Sequence, residues 1–202
     1  TLTRSSAASD VYKRQIGYRV SEETELNKAF DYFTNLNYNV YYVDRPFQGK
    51  SLHVSDNIGT PIELCSTMEQ ITSQMQKFHL HSGGKLAFLD HVQITSPNVS
   101  KVYEWYNTLG FRLAEYTAND NSDEIWGVWL KRKNNTQDVV FSNGAGPCLH
   151  HFAFHTPEVS NVIHAADVMA SLDLGHTIDR PPGRHGIGTV SYTHLRAHET
   201  DR

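Results

Sequence analysis

Apolar and polar positions along the chain fall into a recurring order of strand-like and helix-like stretches. Ile16-Gly17-Tyr18-Arg19-Val20 has the length and composition of a short strand. An acidic turn after Ser21 leads into a helix-spaced stretch through Phe30 and Phe33. Residues 37–43 (NYNVYYV) then read as a strand, with Ser51 to Val54 and Ile62 to Cys65 as later strands.

The order returns at Leu89-Asp90-His91-Val92-Gln93-Ile94. Ser96 is an N-cap candidate, and Pro97 falls at the first helical position. The helix runs through Val102, Trp105 and Tyr106 with Leu109 on the same side, and Gly110 ends it before the strand that opens at Phe111. Ile125 to Leu130 and Asp138 to Phe141 are further strands, separated by turn residues at Asn134-Asn135 and Asn143-Gly144-Ala145-Gly146-Pro147. A third copy opens at Leu149-His150-His151-Phe152-Ala153-Phe154. Thr156-Pro157-Glu158 repeats the cap chemistry, Val159 to Leu172 gives a helix, and there the pattern breaks off.

The expectation is an α+β chain of repeated βαβββ modules whose last module is truncated. Met68, Ile71, Met75 and Phe78 have helical spacing, so Met68 to His81 is expected to be a helical linker closed by Gly83-Gly84. Residues 1–15 and 190–202 lack either period, and VYKRQ and SYTHLRAHET resemble translated sequencing-adapter read-through. Both ends are therefore expected to be non-native scars. A partial N-terminal domain with its linker would occupy 16–84, and a partial C-terminal metal-binding domain 85–189. On that expectation His194 and His198 are scar residues and not ligand candidates.

Composition narrows the classes. With 11% aromatic residues along 202 positions, a buried core is affordable and long disorder is not expected. A formal charge of −4 with no basic patch speaks against nucleic acid. No apolar run reaches the roughly 18 residues of a membrane span. Two cysteines, Cys65 and Cys148, cannot build a disulfide scaffold, and their sparseness fits a cytoplasmic protein.

The 12 histidines change the picture more. Aligning the opening strands puts Tyr18, His91 and His151 at one place in three modules, so two imidazoles can face each other across a shared cavity. A lone strand histidine is more often a satisfied polar residue than a ligand; two at matching repeat positions are harder to dismiss. His150, next to His151, is expected on the opposite face. Two histidines need a carboxylate to make a facial triad for Fe(II), and that carboxylate should come from a later strand of the third module.

The segments LDHVQI, YEWYNTLGFRL, GPCLHHFAFHT and DRPPGRHGIG resemble the type I extradiol ring-cleavage dioxygenases of the vicinal oxygen chelate superfamily, particularly the homoprotocatechuate and catechol 2,3-dioxygenase branches. RPFQGKSLHVSDNIGTPIEL is similar to the end of that family's N-terminal domain. The resemblance covers nearly all of Ile16 to Gly188. It implies a cytoplasmic homo-oligomer, a tetramer, that takes a catechol and O2 and uses Fe(II) or Mn(II). It implies His91 and His151 as metal ligands, with the third ligand, a glutamate, about fifty residues past His151. Glu199 lies near that distance but in the adapter-like tail, and is refused the role. The resemblance further implies that His185 hydrogen-bonds a substrate oxygen, that Arg180 sits near the substrate's acidic substituent or ring, that Trp129 walls the pocket, and that His150 stands beside the ligand. Taken without it, Arg180 reads as a partner for Asp179, Trp129 as core, and Pro-Pro-Gly-Arg-His-Gly as a rigid turn.

One departure stands out. Where the family carries a second-sphere acid/base histidine, this chain has Gln137, in Gln137-Asp138-Val139-Val140-Phe141. An amide hydrogen-bonds but does not exchange a proton near neutral pH. The function expected is a fragment of an extradiol dioxygenase that opens a catechol such as 3,4-dihydroxyphenylacetate to a muconic semialdehyde and is inactive as truncated. The alternatives are a non-catalytic member of the superfamily that binds a small ligand or metal, and a glyoxalase-like isomerase. The last needs a ligand from the N-terminal module that Tyr18 does not offer.

Overall fold

Two sheets with the same internal connection follow one another along the chain. The computed structural model describes residues 15–187 and 190–195. β1 (Ile16–Arg19) leads through α1 (Glu23–Asn35) to β2 (Tyr41–Arg45), β3 (Gly49–Ser55) and β4 (Pro61–Cys65). The sheet order is β1-β4-β3-β2, with β1 and β4 parallel and the other pairs antiparallel. β5 (Phe88–Ser96), α2 (Val99–Thr108), β6 (Arg112–Ala118), β7 (Ile125–Lys131) and β8 (Val139–Asn143) repeat that plan, again with the first strand parallel to the last. β9 (Cys148–His155) joins the free edge of β5, giving the order β6-β7-β8-β5-β9. The βαβββ expectation holds for both modules.

Local chemistry explains the boundaries. α1 is followed by Asn37 at φ 61, and α2 by Gly110 at φ 82, both left-handed stops. The α2 cap is not Ser96. Asn98 is the N-cap, its side chain accepting from the Lys101 N–H at 2.9 Å, while Ser96 Oγ accepts from the Asn98 N–H one turn earlier.

One core joins the modules. Phe33, Val54 and Ile62 from the first pack in the same cluster as Val102, Trp105, Tyr106 and Phe141 from the second. The Trp105 indole N–H donates to the Tyr38 hydroxyl at 2.9 Å, and Asn57 Nδ2 donates to the Lys101 carbonyl at 2.8 Å. Each such bond is worth about 1 kcal/mol, and more if one partner is left orphaned.

Two expectations fail. Residues 67–74 have no regular structure, and between β4 and β5 the one helical turn is a 3₁₀ turn at Phe78–Leu80. Met68, Ile71, Met75 and Phe78 are exposed, Ile71 by 85%. A short amphipathic stretch with no surface to cover does not hold a helix on spacing alone. Nor does the third copy stop after its helix. α3 (Val159–Ser171) is followed by β10 (Ile178–Arg184) and β11 (Ser191–Leu195), an antiparallel pair. The Pro181-Pro182 pair, which taken without the resemblance reads as part of a rigid turn, lies in a strand with irregular register at Arg180/Gly183, as residues without a ladder N–H require. Residues 191–195, read as tail, take part in that hairpin. His198 and Glu199 lie outside the described residues.

Candidate metal centre

β5 and β9 set the site. Their antiparallel register pairs Gln93 with His151 and His91 with Ala153. Across the sheet, Glu115, Trp129, Val140, Gln93 and His151 form one row on the face opposite the core cluster. The β8–β9 turn reaches this register by passing tightly over β5. A Cβ on Gly146 would overlap the Thr95 carbonyl oxygen, so only glycine fits there.

The β5–β9 ladder is interrupted twice. One shift falls between Leu89 and His91, leaving Asp90 as the extra residue; the other falls between Gln93 and Ile94, leaving His150 extra on β9. A bulge re-aims side chains that simple alternation would send to opposite faces. Asp90 Oδ2 lies 2.7 Å from His91 Nδ1, and His150 Nδ1 lies 2.7 Å from His151 Nδ1. His150 was expected on the opposite face; the bulge instead brings its ring to 5.0 Å from that of His151.

With both Nδ1 atoms engaged, the two Nε2 atoms point at each other, 3.2 Å apart. Two imidazole nitrogens at roughly right angles around one cation, each about 2.1 Å from it, lie about 3 Å apart, so the spacing fits a shared metal ion. Burial, then the neighbouring rings of His91, His150, His194 and His185, pull the His151 imidazole down to about 3. It is neutral at physiological pH, as a ligand must be. Among the described residues, no group of three or more His, Cys, Asp or Glu side chains is placed to hold an ion. The pair is there; a third protein ligand is not.

The remaining candidates divide. Gln137 is buried, and its amide Nε2 is 2.9 Å from His91 Nδ1, on the far side of that ring from the Nε2 pair. His185 is half-buried, stacks on Tyr192 at 4.0 Å, and stands 5.8 Å from the His194 ring, which is 5.5 Å from that of His151. Burial, then the Arg180 charge, lowers the His185 imidazole below its usual range. Arg180 lies in β10 opposite His194, with Nε 3.9 Å from Asp179 and its side chain 59% exposed. Trp129 is half-buried in the row that contains His151, three strands away.

Two corrections follow from the geometry. Tyr18 is not the counterpart of the two histidines: it faces the core, its ring edge-on to Phe111 at 5.4 Å. His91, His151 and Gln15 each sit seven residues ahead of a helix N-cap (Asn98, Glu158 and Glu22), so Gln15 holds the equivalent place. Sequence reasoning also missed Asp90. Its place beside His91 was visible, but strand alternation assigns neighbours to opposite faces, and only the cross-strand register reveals the bulge.

Fold and site together define a repeated-module α+β protein with a pair of facing imidazoles on one sheet face. Residues 88–201 match the Glyoxalase/Bleomycin resistance protein/Dioxygenase superfamily, and the chain belongs to it. A manganese-dependent 2,3-dihydroxybiphenyl 1,2-dioxygenase from Geobacillus genomosp. 3 is 30% identical over 113 residues, 54% of this chain and 35% of that relative. The structure of homoprotocatechuate 2,3-dioxygenase from Arthrobacter globiformis is similar with a TM-score of 0.86 and 30% identity, covering 92% of this chain and 58% of that one. A point mutant of the Brevibacterium fuscum enzyme gives 0.87 and 29%, covering 92% and 52%. The chain thus spans about a third of the curated relative and about half of the solved chains.

Proposed function

We propose that the chain is part of an extradiol dioxygenase that opens a catechol, such as 3,4-dihydroxyphenylacetate, with O2 to a muconic semialdehyde. The observation that carries this reading is the convergence of His91 and His151 Nε2 at 3.2 Å with both Nδ1 atoms turned outward. The names of the similar proteins agree with it. His91 and His151 hold Fe(II) or Mn(II), which, when bound, supplies Lewis acidity and a meeting place for catechol and O2. His185 donates to a substrate oxygen. Arg180 faces the acidic substituent, Trp129 walls the ring, and His150 braces His151. Gln137 stands in place of a proton carrier and supports His91 through its amide. The working protein is a cytoplasmic homo-oligomer, and among the described residues no helix is long and apolar enough to cross a membrane.

We further propose that residues 1–15 and 190–202 are non-native and that the 202-residue chain binds metal weakly and does not turn over. Its centre has two imidazoles and no carboxylate among the described residues. Anaerobic Fe(II) loading followed by 3,4-dihydroxyphenylacetate and O2 tests this. No yellow semialdehyde is expected; its rapid formation would refute the incompleteness. Resequencing the source DNA past Gly188 tests the larger reading. A frame continuing into a strand with a glutamate about fifty residues past His151 supports the dioxygenase.

A second reading is a non-catalytic ligand-binding relative, favoured by Gln137, which cannot shuttle a proton. Catechol binding to the extended, metal-loaded protein with no oxygen uptake would select it.

A further inference from the structure

A strand's adjacent residues point to opposite faces, yet Asp90 and His91 touch. The register shift between Leu89 and His91 is the reason: Asp90 is the extra residue of a bulge, and the ladder resumes with His91 opposite Ala153. The contact is not a loose surface pair. The side chains are 26% and 13% exposed, and Oδ2 lies 2.7 Å from Nδ1. A carboxylate only accepts hydrogen bonds. Were His91 Nδ1 bare, its lone pair would face the carboxylate oxygen at 2.7 Å, an arrangement that repels. With hydrogen on Nδ1, the ring donates to Asp90. The Gln137 amide Nε2 stands 2.9 Å from the same nitrogen; an Nδ1–H requires that amide to be flipped, with its oxygen on this side. The lone pair is then left on Nε2, the atom that faces His151 Nε2.

We propose that Asp90, carried to His91 by the bulge, is a positioning residue that locks His91 in the Nδ1–H tautomer and aims its Nε2 lone pair into the space shared with His151. His151 lacks a carboxylate of this kind: its Nδ1 meets the His150 imidazole, a partner that donates or accepts according to its own tautomer. The two histidines are therefore unequal. His91 is preset by a fixed acceptor, and His151 is adjustable. The proposal rests on the metal-site reading only for the use of the lone pair; the tautomer stands without it.

The experiment uses the full chain, metal-free and then titrated with Co(II). Long-range proton–nitrogen correlation spectra of the imidazoles report which nitrogen carries hydrogen. The wild type should show His91 with hydrogen on Nδ1, and Asp90→Ala should shift it toward the Nε2–H form. Asp90→Asn retains an acceptor oxygen and should restore Nδ1–H. Co(II) affinity, read from visible absorption, should fall about 10- to 100-fold in Asp90→Ala, the usual effect of removing a ligand's hydrogen-bond partner, and less in Asp90→Asn. His150→Ala should leave the His91 tautomer unchanged. A wild-type His91 found as Nε2–H overturns the proposal even if Asp90→Ala fails to fold, and so does an unchanged tautomer in a folded Asp90→Ala. If wild-type chain shows Nδ1–H but takes up no Co(II), the metal-site reading fails and the positioning role of Asp90 survives.

Discussion

The two βαβββ sheets share one topology, and their faces away from the core are filled in opposite ways. In the first, Glu63 on β4 accepts from Gln15 and Gln48, pairs with Arg45 Nε at 3.3 Å, and meets His53 Nε2 at 3.0 Å. Arg45 and Glu63 are both nearly buried. This face carries its own cation and its own anion. In the second, the place of Gln15 is taken by His91 and, in the following unit, by His151, whose Nε2 atoms confront each other at 3.2 Å. The same βαβββ frame is thus closed on one face and on the other leaves two imidazole Nε2 atoms facing each other. The two faces differ in this way with no change of fold.

Removing either half of the open pair should have the largest effect. His151→Ala, followed by Co(II) titration, should lose more affinity than the roughly 100-fold expected for any residue that only supports a ligand. Retention of wild-type affinity would show that the two faces do not differ in the way argued. Breaking the closed face should act on stability instead. Glu63→Ala removes the carboxylate that faces both Arg45 and His53 and should cost about 3–5 kcal/mol in urea unfolding. The Co(II) stoichiometry of whatever remains folded should not change.

A smaller effect tests whether the two modules act as one body. Tyr38→Phe leaves the Trp105 indole N–H without its acceptor and should cost about 1–3 kcal/mol. A single unfolding transition should persist; two separated transitions would show that the shared core does not couple the modules. The smallest effect is on pH dependence. Burial raises the Asp56 carboxyl above its ordinary range, although backbone hydrogen bonds from Thr60 and Ile58 pull the other way. The folded chain therefore keeps that proton where the unfolded chain has lost it. The stability it contributes is complete below the ordinary carboxylate pKa and is lost as pH rises through the raised value. Asp56→Asn should flatten this part of the melting temperature against pH, with little change at the acid end.

Much of the fold was legible because its signals are local. Helix spacing through Trp105 and Tyr106, the stop at Gly110, and the strands around Val128 and Phe141 each declare themselves within a few residues. The linker was misread for a physical reason: spacing at Met68, Ile71 and Met75 states which helix is possible, not whether a surface exists to hold it. Pro181 and Pro182 fit a rigid turn by local chemistry alone; their place in a strand shows only when its hairpin partner β11 is in view.

The sequence by itself determined the order of elements within the two βαβββ modules, the repeat, and the choice of His91 and His151 as a pair. Only the tertiary structure decided which of their neighbours face the centre. Asp90 and His150 reach it through bulges in the β5–β9 ladder, and Gln15, not Tyr18, proves to be the third equivalent position. A bulge is a mismatch in register between strands some sixty residues apart in the chain. No local periodicity records it, because each strand alone still alternates side to side.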